Sequence, residues 1–128
     1  GFTDGAPWLP VNPNFTQINA EADRADPEGV FEHYKSLITI RKGNEIVTHG
    51  RFVPLAEHDP NVWAYARELG GQRLTLVANL SSAPVTVVLP PEGSVAGACL
   101  STTTRARVRL DGALDLDPWE AVAVLGDT

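Results

Sequence analysis

The chain has 128 residues, which is the length of one ordinary domain, and 43% of them are hydrophobic. Its 16 acidic residues outnumber the 10 basic ones, and the net charge of −6 is spread along the chain without a basic cluster. Because nucleic acids and anionic membranes are bound by clustered lysine and arginine, this pattern argues against both as partners.

The first 25 residues are predicted to be irregular, because proline and glycine recur through them. A loop with so many apolar residues packs against a scaffold, and little of that scaffold lies in these 128 residues. The chain opens with Gly1 and contains no methionine, so we expect either a processed start or a piece of a longer protein. The apolar residues of the segment are Phe2, Trp8, Leu9, Val11, Phe15 and Ile18.

A helix is predicted over residues 27–42. Asp26 is a favourable N-cap, Pro27 suits the first helical position, and Gly43 is a natural residue at the C-terminal end. One face of the helix is apolar and needs another layer to cover it. That face consists of Val30, Phe31, Tyr34, Leu37 and Ile38.

From Glu45 onward the hydrophobic period changes to two, and turn residues recur every eight to twelve positions. The clearest hairpin crosses Gly70-Gly71, since glycine supplies the positive φ that such a turn needs. The pattern indicates an antiparallel sandwich or barrel. Its core is expected to contain Trp63, Tyr65 and Trp119, whereas a carbohydrate-binding module would expose aromatic rings on one face. The predicted strands are 46–53, 62–68, 73–80, 84–89, 95–100, 105–110 and 119–125.

No residue pattern predicts a metal ion or another cofactor. The histidines, His33, His49 and His58, share no metal-ligand spacing with one another or with Cys99. A cluster of acidic residues near the C-terminus lacks the order of a calcium loop and is expected to be a solvated strand edge. The cluster consists of Asp111, Asp115, Asp117 and Glu120.

The sequence gives no sign of secretion or of a membrane span. Cys99 is the only cysteine, so no internal disulfide can form, and a cytoplasmic location is expected. No apolar run approaches the roughly 20 residues that cross a bilayer. Two Asn-x-Ser/Thr triplets begin at Asn14 and Asn79, but glycosylation is not expected without a secretion signal.

Motifs along nearly the whole chain resemble one enzyme family. Residues 1–14 resemble the G-F-T-x-G-x-P-W-x-x-V-N-P-N segment of oligo-1,6-glucosidases and related α-glucosidases of glycoside hydrolase family 13. Residues 26–42 resemble that family's D-P-x-S-V-x-x-x-Y-x-x-L-I-x-L-R-K helix. Residues 62–67, 76–81 and 116–124 are similar to strand motifs of its C-terminal domain.

The resemblance implies a division of the chain. Residues 1–43 would be the last loop and helix of a truncated (β/α)8 catalytic barrel, and residues 44–128 a C-terminal antiparallel β-sandwich. The family's catalytic carboxylates would all precede Gly1, so no catalytic, substrate-binding or metal residue is assigned, and the chain alone is expected to be inactive. The predicted partners are the missing barrel and a second copy, through a surface formed by Trp8, Phe15, Val30, Phe31, Tyr34, Leu37 and Ile38.

Three functions remain open at this point. The first is the C-terminal part of an α-glucosidase that hydrolyses small oligosaccharides, with a structural role for this part. The second is the same part of a related transferase of the trehalose or isomaltulose synthase type. The third is a non-enzymatic relative, such as an amino-acid-transporter heavy chain or a carbohydrate-binding module.

Overall fold

The chain forms two compact units, Gly1–Ile40 and Arg41–Thr128. The computed structural model describes residues 5–128. Phe2, one of the apolar residues of the segment that was predicted to be irregular, lies outside the described residues.

A short helix, α1 (Ala20–Ala25), lies in the segment that was predicted to be irregular. The prediction is wrong there because the prolines stop at Pro13 and a good N-cap follows. Asn19 accepts a hydrogen bond from the amide of Ala22 at 2.9 Å, and its own amide group donates to the Phe15 carbonyl at 2.9 Å.

The main helix, α2 (Val30–Gly43), begins three residues later than predicted, and its N-terminal cap is Asp23 rather than Asp26. The Asp23 carboxylate accepts hydrogen bonds from the amides of Val30 and Phe31, both at 2.9 Å. A Cβ atom at Gly29 would lie 2.6 Å from the Asp23 carbonyl oxygen, so the close approach requires glycine. Asp26 instead accepts from the Glu28 amide and ends α1.

A third helix, α3 (Glu45–His49), occupies the first half of the predicted strand 46–53. The strand prediction is therefore wrong for these residues and holds only from β1 onward. Ile46 is buried, and Val47 packs beside it in a small apolar cluster that includes Leu74 and Leu76 of the sheet. Contacts distant in sequence thus override the local alternation.

Within residues 5–128 there are eight strands: β1 (Arg51–Leu55), β2 (Val62–Leu69), β3 (Gln72–Asn79), β4 (Val85–Val88), β5 (Val95–Thr102), β6 (Arg109–Leu110), β7 (Ala113–Leu116) and β8 (Ala121–Asp127). Six form one sheet in the order β1-β2-β3-β8-β5-β6, and β4 pairs with β7. Every pairing is antiparallel, which confirms the mainly β fold class.

The β2–β3 hairpin has the predicted turn, with Gly70 at φ +59° and Gly71 at φ +82°. Of the predicted strand 105–110, only the last two residues form a strand, β6. The strand β7 was not predicted, because its two leucines lie between acidic residues. The core joins both sheets and is rich in small and branched side chains. Its members include Ala64, Ala66, Val77, Val87, Leu110, Leu114, Leu116, Val122 and Val124.

Candidate functional site

The apolar face of α2 is exposed along its whole length. Its five apolar residues range from 37% exposed at Leu37 to 64% at Val30, and the helix has no buried residue. Arg24 of α1 lies over the Phe31 ring, with its guanidinium carbon 5.5 Å from the ring centre. Such a stripe is typical of a helix that another layer covers.

The apolar side chains of the segment before α1 are also exposed to solvent. The segment encloses a recess of about 760 Å³ lined by Trp8, Val11, Phe15 and Ile18 among others. Turns hold its backbone, since the amide of Ile18 donates to the Asn14 carbonyl at 2.9 Å. Trp8 is 91% exposed, so the segment does not bury its own largest side chain.

Together these residues form what we call the apolar N-terminal surface, and the structure leaves all of them exposed. The surface consists of Trp8, Phe15, Val30, Phe31, Tyr34, Leu37 and Ile38.

The three aromatic residues that were expected in the sandwich core are not buried. Trp63 is 54% exposed and Trp119 61% exposed, while Tyr65 is half-buried. The register explains this, because Trp63 and Tyr65 alternate with the buried residues of β2 and so point to the outer face. The buried face of β2 instead carries the smaller residues Val62, Ala64 and Ala66.

On that outer face the rings of Phe52, Tyr65 and Trp63 lie side by side. The Phe52 and Tyr65 centroids are 5.2 Å apart and tilted by 33°, and the Tyr65 and Trp63 centroids are 6.3 Å apart, edge to face. Such angles are those of a packed aromatic cluster. They do not make the flat row of rings on which successive sugars stack.

Glu120 was expected on a solvated strand edge and is instead fully buried, so that prediction is wrong. One carboxylate oxygen lies 3.1 Å from Arg107 and 3.4 Å from Arg105, and the other accepts from the Asp117 amide at 2.8 Å. Both arginines also donate to the Asp115 carbonyl. The only sequence signal for this pairing was the pair of arginines two positions apart, opposite an acidic cluster.

Burial by itself would raise the pKa of Glu120, but the Asp117 amide and the Arg107 guanidinium outweigh it. The pKa therefore lies below the ordinary glutamate value, and the side chain is ionised at neutral pH. A carboxylate that is buried and paired with two cations cannot approach a glycosidic bond. Glu120 is a structural group.

Of the other members of the acidic cluster, Asp115 of β7 contacts a neighbouring strand, and Asp111 pairs with a residue two positions away. Asp111 accepts from Arg109 at 2.7 Å, and Asp115 accepts from the Thr86 hydroxyl at 2.7 Å. Among residues 5–128 there is no group of three or more His, Cys, Asp or Glu side chains that would hold a metal ion. In the same range, no helix is long and apolar enough to cross a membrane.

The two glycosylation triplets differ in access. Asn79 is 1% exposed, and its amide group donates to the Ala83 carbonyl at 2.7 Å and to the Asp117 carbonyl at 2.9 Å. The Asn79 side chain is thus committed to holding the end of β3. Asn14 is exposed in a turn.

Two known protein families match this chain, one over its N-terminal part and the other over its strands. Residues 1–50 match the alpha amylase catalytic domain, and residues 62–123 match the alpha-amylase SusG C-terminal domain. The first match ends at Gly50, directly after α3.

Individual relatives cover the same region. The probable oligo-1,6-glucosidase 2 of Bacillus subtilis (strain 168) is 39% identical over 127 residues, which are 99% of this chain and 23% of that protein. The oligo-1,6-glucosidase of Parageobacillus thermoglucosidasius is 42% identical over 90 residues, which are 70% of this chain and 16% of that protein.

Among solved structures, the trehalulose synthase MutB from Pseudomonas mesoacidophila MX-45 superposes with a TM-score of 0.84 at 33% identity, over 96% of this chain and 22% of that one. The chain thus spans less than a quarter of the length of these relatives. It belongs to the α-amylase family, glycoside hydrolase family 13, and matches the C-terminal part of its oligo-1,6-glucosidase-like members.

Proposed function

We propose that this chain is the C-terminal part of an α-glucosidase that hydrolyses α-glucosidic bonds of small oligosaccharides, and that its own role is structural. The observation that carries the proposal is the order of the two family matches, catalytic domain and then C-terminal domain, within a chain whose relatives are oligo-1,6-glucosidases. Retaining hydrolysis takes two carboxylates about 5 Å apart across the bond. We place that pair in the preceding part of the protein.

In this proposal residues 1–43 complete the catalytic barrel, and residues 44–128 are the sandwich that follows it. The apolar N-terminal surface supports this division, because a barrel would cover it. At about 25 cal/mol per Å², covering several hundred Å² stabilises the contact by several kcal/mol before association costs. The barrel is accordingly the first partner that we propose.

We also place the protein in the cytoplasm. The support is Cys99, a free thiol that is half-buried beside the core, which is ordinary in a reducing compartment. Fractionation of the source cells would test this, and recovery of the protein outside the cytoplasm would contradict it.

A second candidate is transfer rather than hydrolysis. The fold likeness to a trehalulose synthase supports it, since the same C-terminal part serves that protein. The oligo-1,6-glucosidase relatives are more similar in sequence, so hydrolysis is the stronger proposal.

The test uses the complete reading frame that contains this chain. The purified full-length protein is given isomaltose, maltose and sucrose, and the products are separated by chromatography. Release of glucose from isomaltose supports the proposed function. Conversion of sucrose to an isomer without glucose release would favour transfer, and no reaction with any of the three would contradict both.

A further inference from the structure

The short helix α3 is held on the outer face of the six-stranded sheet by a buried residue. Ile46 is 2% exposed and shares an apolar cluster with Leu74 of β3 and Ala123 of β8. The helix is therefore part of the packed structure of Arg41–Thr128 and not a loose connection.

Arg67 of β2 closes the C-terminal end of the same helix. Its Nε atom donates to the Ile46 carbonyl at 3.1 Å, and its Nη2 atom to the Gly50 carbonyl at 3.0 Å and the Thr48 carbonyl at 3.4 Å. The Ile46 carbonyl also accepts from the Gly50 amide at 3.1 Å. The Arg67 guanidinium adds its donors to carbonyls that carry the partial negative charge of a helix C-terminus. One side chain thus binds three carbonyls within five consecutive residues.

Gly50 allows this close approach. A Cβ atom at this position would lie 2.5 Å from the Ile46 carbonyl oxygen and 3.0 Å from the Arg67 Cβ atom. A larger residue at this position would clash with the Ile46 carbonyl unless the backbone shifted. We call Ile46, Gly50 and Arg67 the α3 clamp.

The place of the clamp matters because the catalytic-domain match ends at Gly50. The last six residues of that match are therefore packed on the sandwich, and Arg67, which holds them, lies in the C-terminal-domain match. We propose that Arg67 fastens α3, which follows residues 1–43 of the proposed barrel, to the rest of the sandwich, so that barrel and sandwich are joined through a packed helix instead of a flexible linker. The reference to a catalytic domain rests on the proposed function.

Limited trypsin digestion tests the clamp on the full chain of residues 1–128. Trypsin sites flank α3 at Lys42 and Arg51, and Arg105 provides a distant site in the sandwich. In Arg67→Gln we expect cleavage after Lys42 and Arg51 to become about tenfold faster. Without the guanidinium, α3 can detach from the sheet without breaking charge-assisted hydrogen bonds. Cleavage after Arg105 should keep its rate. Mass spectrometry of the fragments identifies each site.

Matched variants separate the clamp from general unfolding. Arg109→Gln also removes one arginine and one trypsin site, but Arg109 pairs with Asp111 at the surface and should leave all rates unchanged. Arg67→Lys keeps the charge without the planar fork and should fall between wild type and Gln. Ile46→Ala should act like Arg67→Gln. Equal acceleration at all sites in both Arg67→Gln and Ile46→Ala, or none at Lys42 and Arg51, overturns the proposal.

Experiments on the full-length protein test the clamp and the proposed function independently. Glucose release by the untreated wild type tests only the function. Loss of the sandwich from Arg67→Gln during mild digestion, followed on a gel, tests only the clamp. A full-length protein that is inactive on glucosides but shows the clamp cleavage pattern would refute the function and retain the clamp.

Discussion

Glu120 and Arg107 form an ion pair inside the sandwich, with 3.1 Å between the carboxylate oxygen and Nη2. Arg107 belongs to residues 103–108, which connect β5 and β6 without strand pairing. The pair therefore joins an irregular segment to the residue that directly precedes β8. This relationship leads to two predictions about stability.

Glu120→Gln should destabilise residues 1–128 by about 3 kcal/mol, because it leaves the Arg107 charge buried without its partner. The glutamine side chain has the same shape and can still accept the hydrogen bond from the Asp117 amide. The lost stability therefore reports the ion pair with Arg107 rather than that hydrogen bond. Urea unfolding followed by tryptophan fluorescence measures it. Asp111→Asn, which breaks an exposed pair with Arg109, is the control and should cost less than about 1 kcal/mol. Equal effects of the two variants would contradict the structural role of Glu120.

The same pair predicts a pH dependence. The folded pKa of Glu120 is lowered, so its contribution is present above the unfolded value of 4.5 and is lost as pH falls through the lower folded pKa. The stability difference between wild type and Glu120→Gln should thus be largest above about pH 5 and shrink below the ordinary glutamate pKa. Denaturant titrations from pH 3 to pH 7 would show this. A difference that stays constant over that range would argue against an ionised Glu120.

Residues 44–128 should form the autonomous folding unit, because the closed core lies there. Deleting residues 1–25 removes an exposed segment and should leave the melting temperature of the sandwich almost unchanged. Differential scanning calorimetry of the full and shortened chains compares the two. If the deletion unfolds the sandwich, the boundary between the units is misplaced.

Residues 1–128 alone should release no glucose from isomaltose, maltose or p-nitrophenyl α-glucoside, since we place the catalytic pair in the preceding part of the protein. A coupled glucose assay at high protein concentration measures this, with the full-length protein as the positive control. Turnover that is abolished by mutating an Asp or Glu of this chain would refute the structural role.

Without a barrel, the apolar N-terminal surface should bring two copies of the chain together, because the strong helical pattern of α2 favours pairing over disorder of the segment. Phe31→Glu and Leu37→Glu place charges in that surface and should give monomers. His33→Glu changes an exposed residue outside the apolar stripe and should still pair. Sedimentation velocity at high micromolar concentration distinguishes these states. A monomeric wild type would disprove self-association.

Local pattern was enough to predict several elements of this protein. The alternation of β2 and β3 and the two glycines between them specify a hairpin, since each depends only on neighbouring residues. The stripe of α2 likewise predicted a helix, although its start was misplaced by three residues. Family motifs, which are also local strings, pointed to the α-glucosidases.

Tertiary structure decided what depends on residues far apart in the chain. Asp23 caps a helix that begins seven positions later, and Arg67 holds a helix about twenty positions earlier. Glu120 is buried because arginines on another segment neutralise it, whereas composition alone favours a solvated acid. Trp63 is exposed because alternation in a strand predicts two faces without saying which one the second sheet covers. Periodicity is a property of the local chain, but burial and charge pairing are set by distant partners.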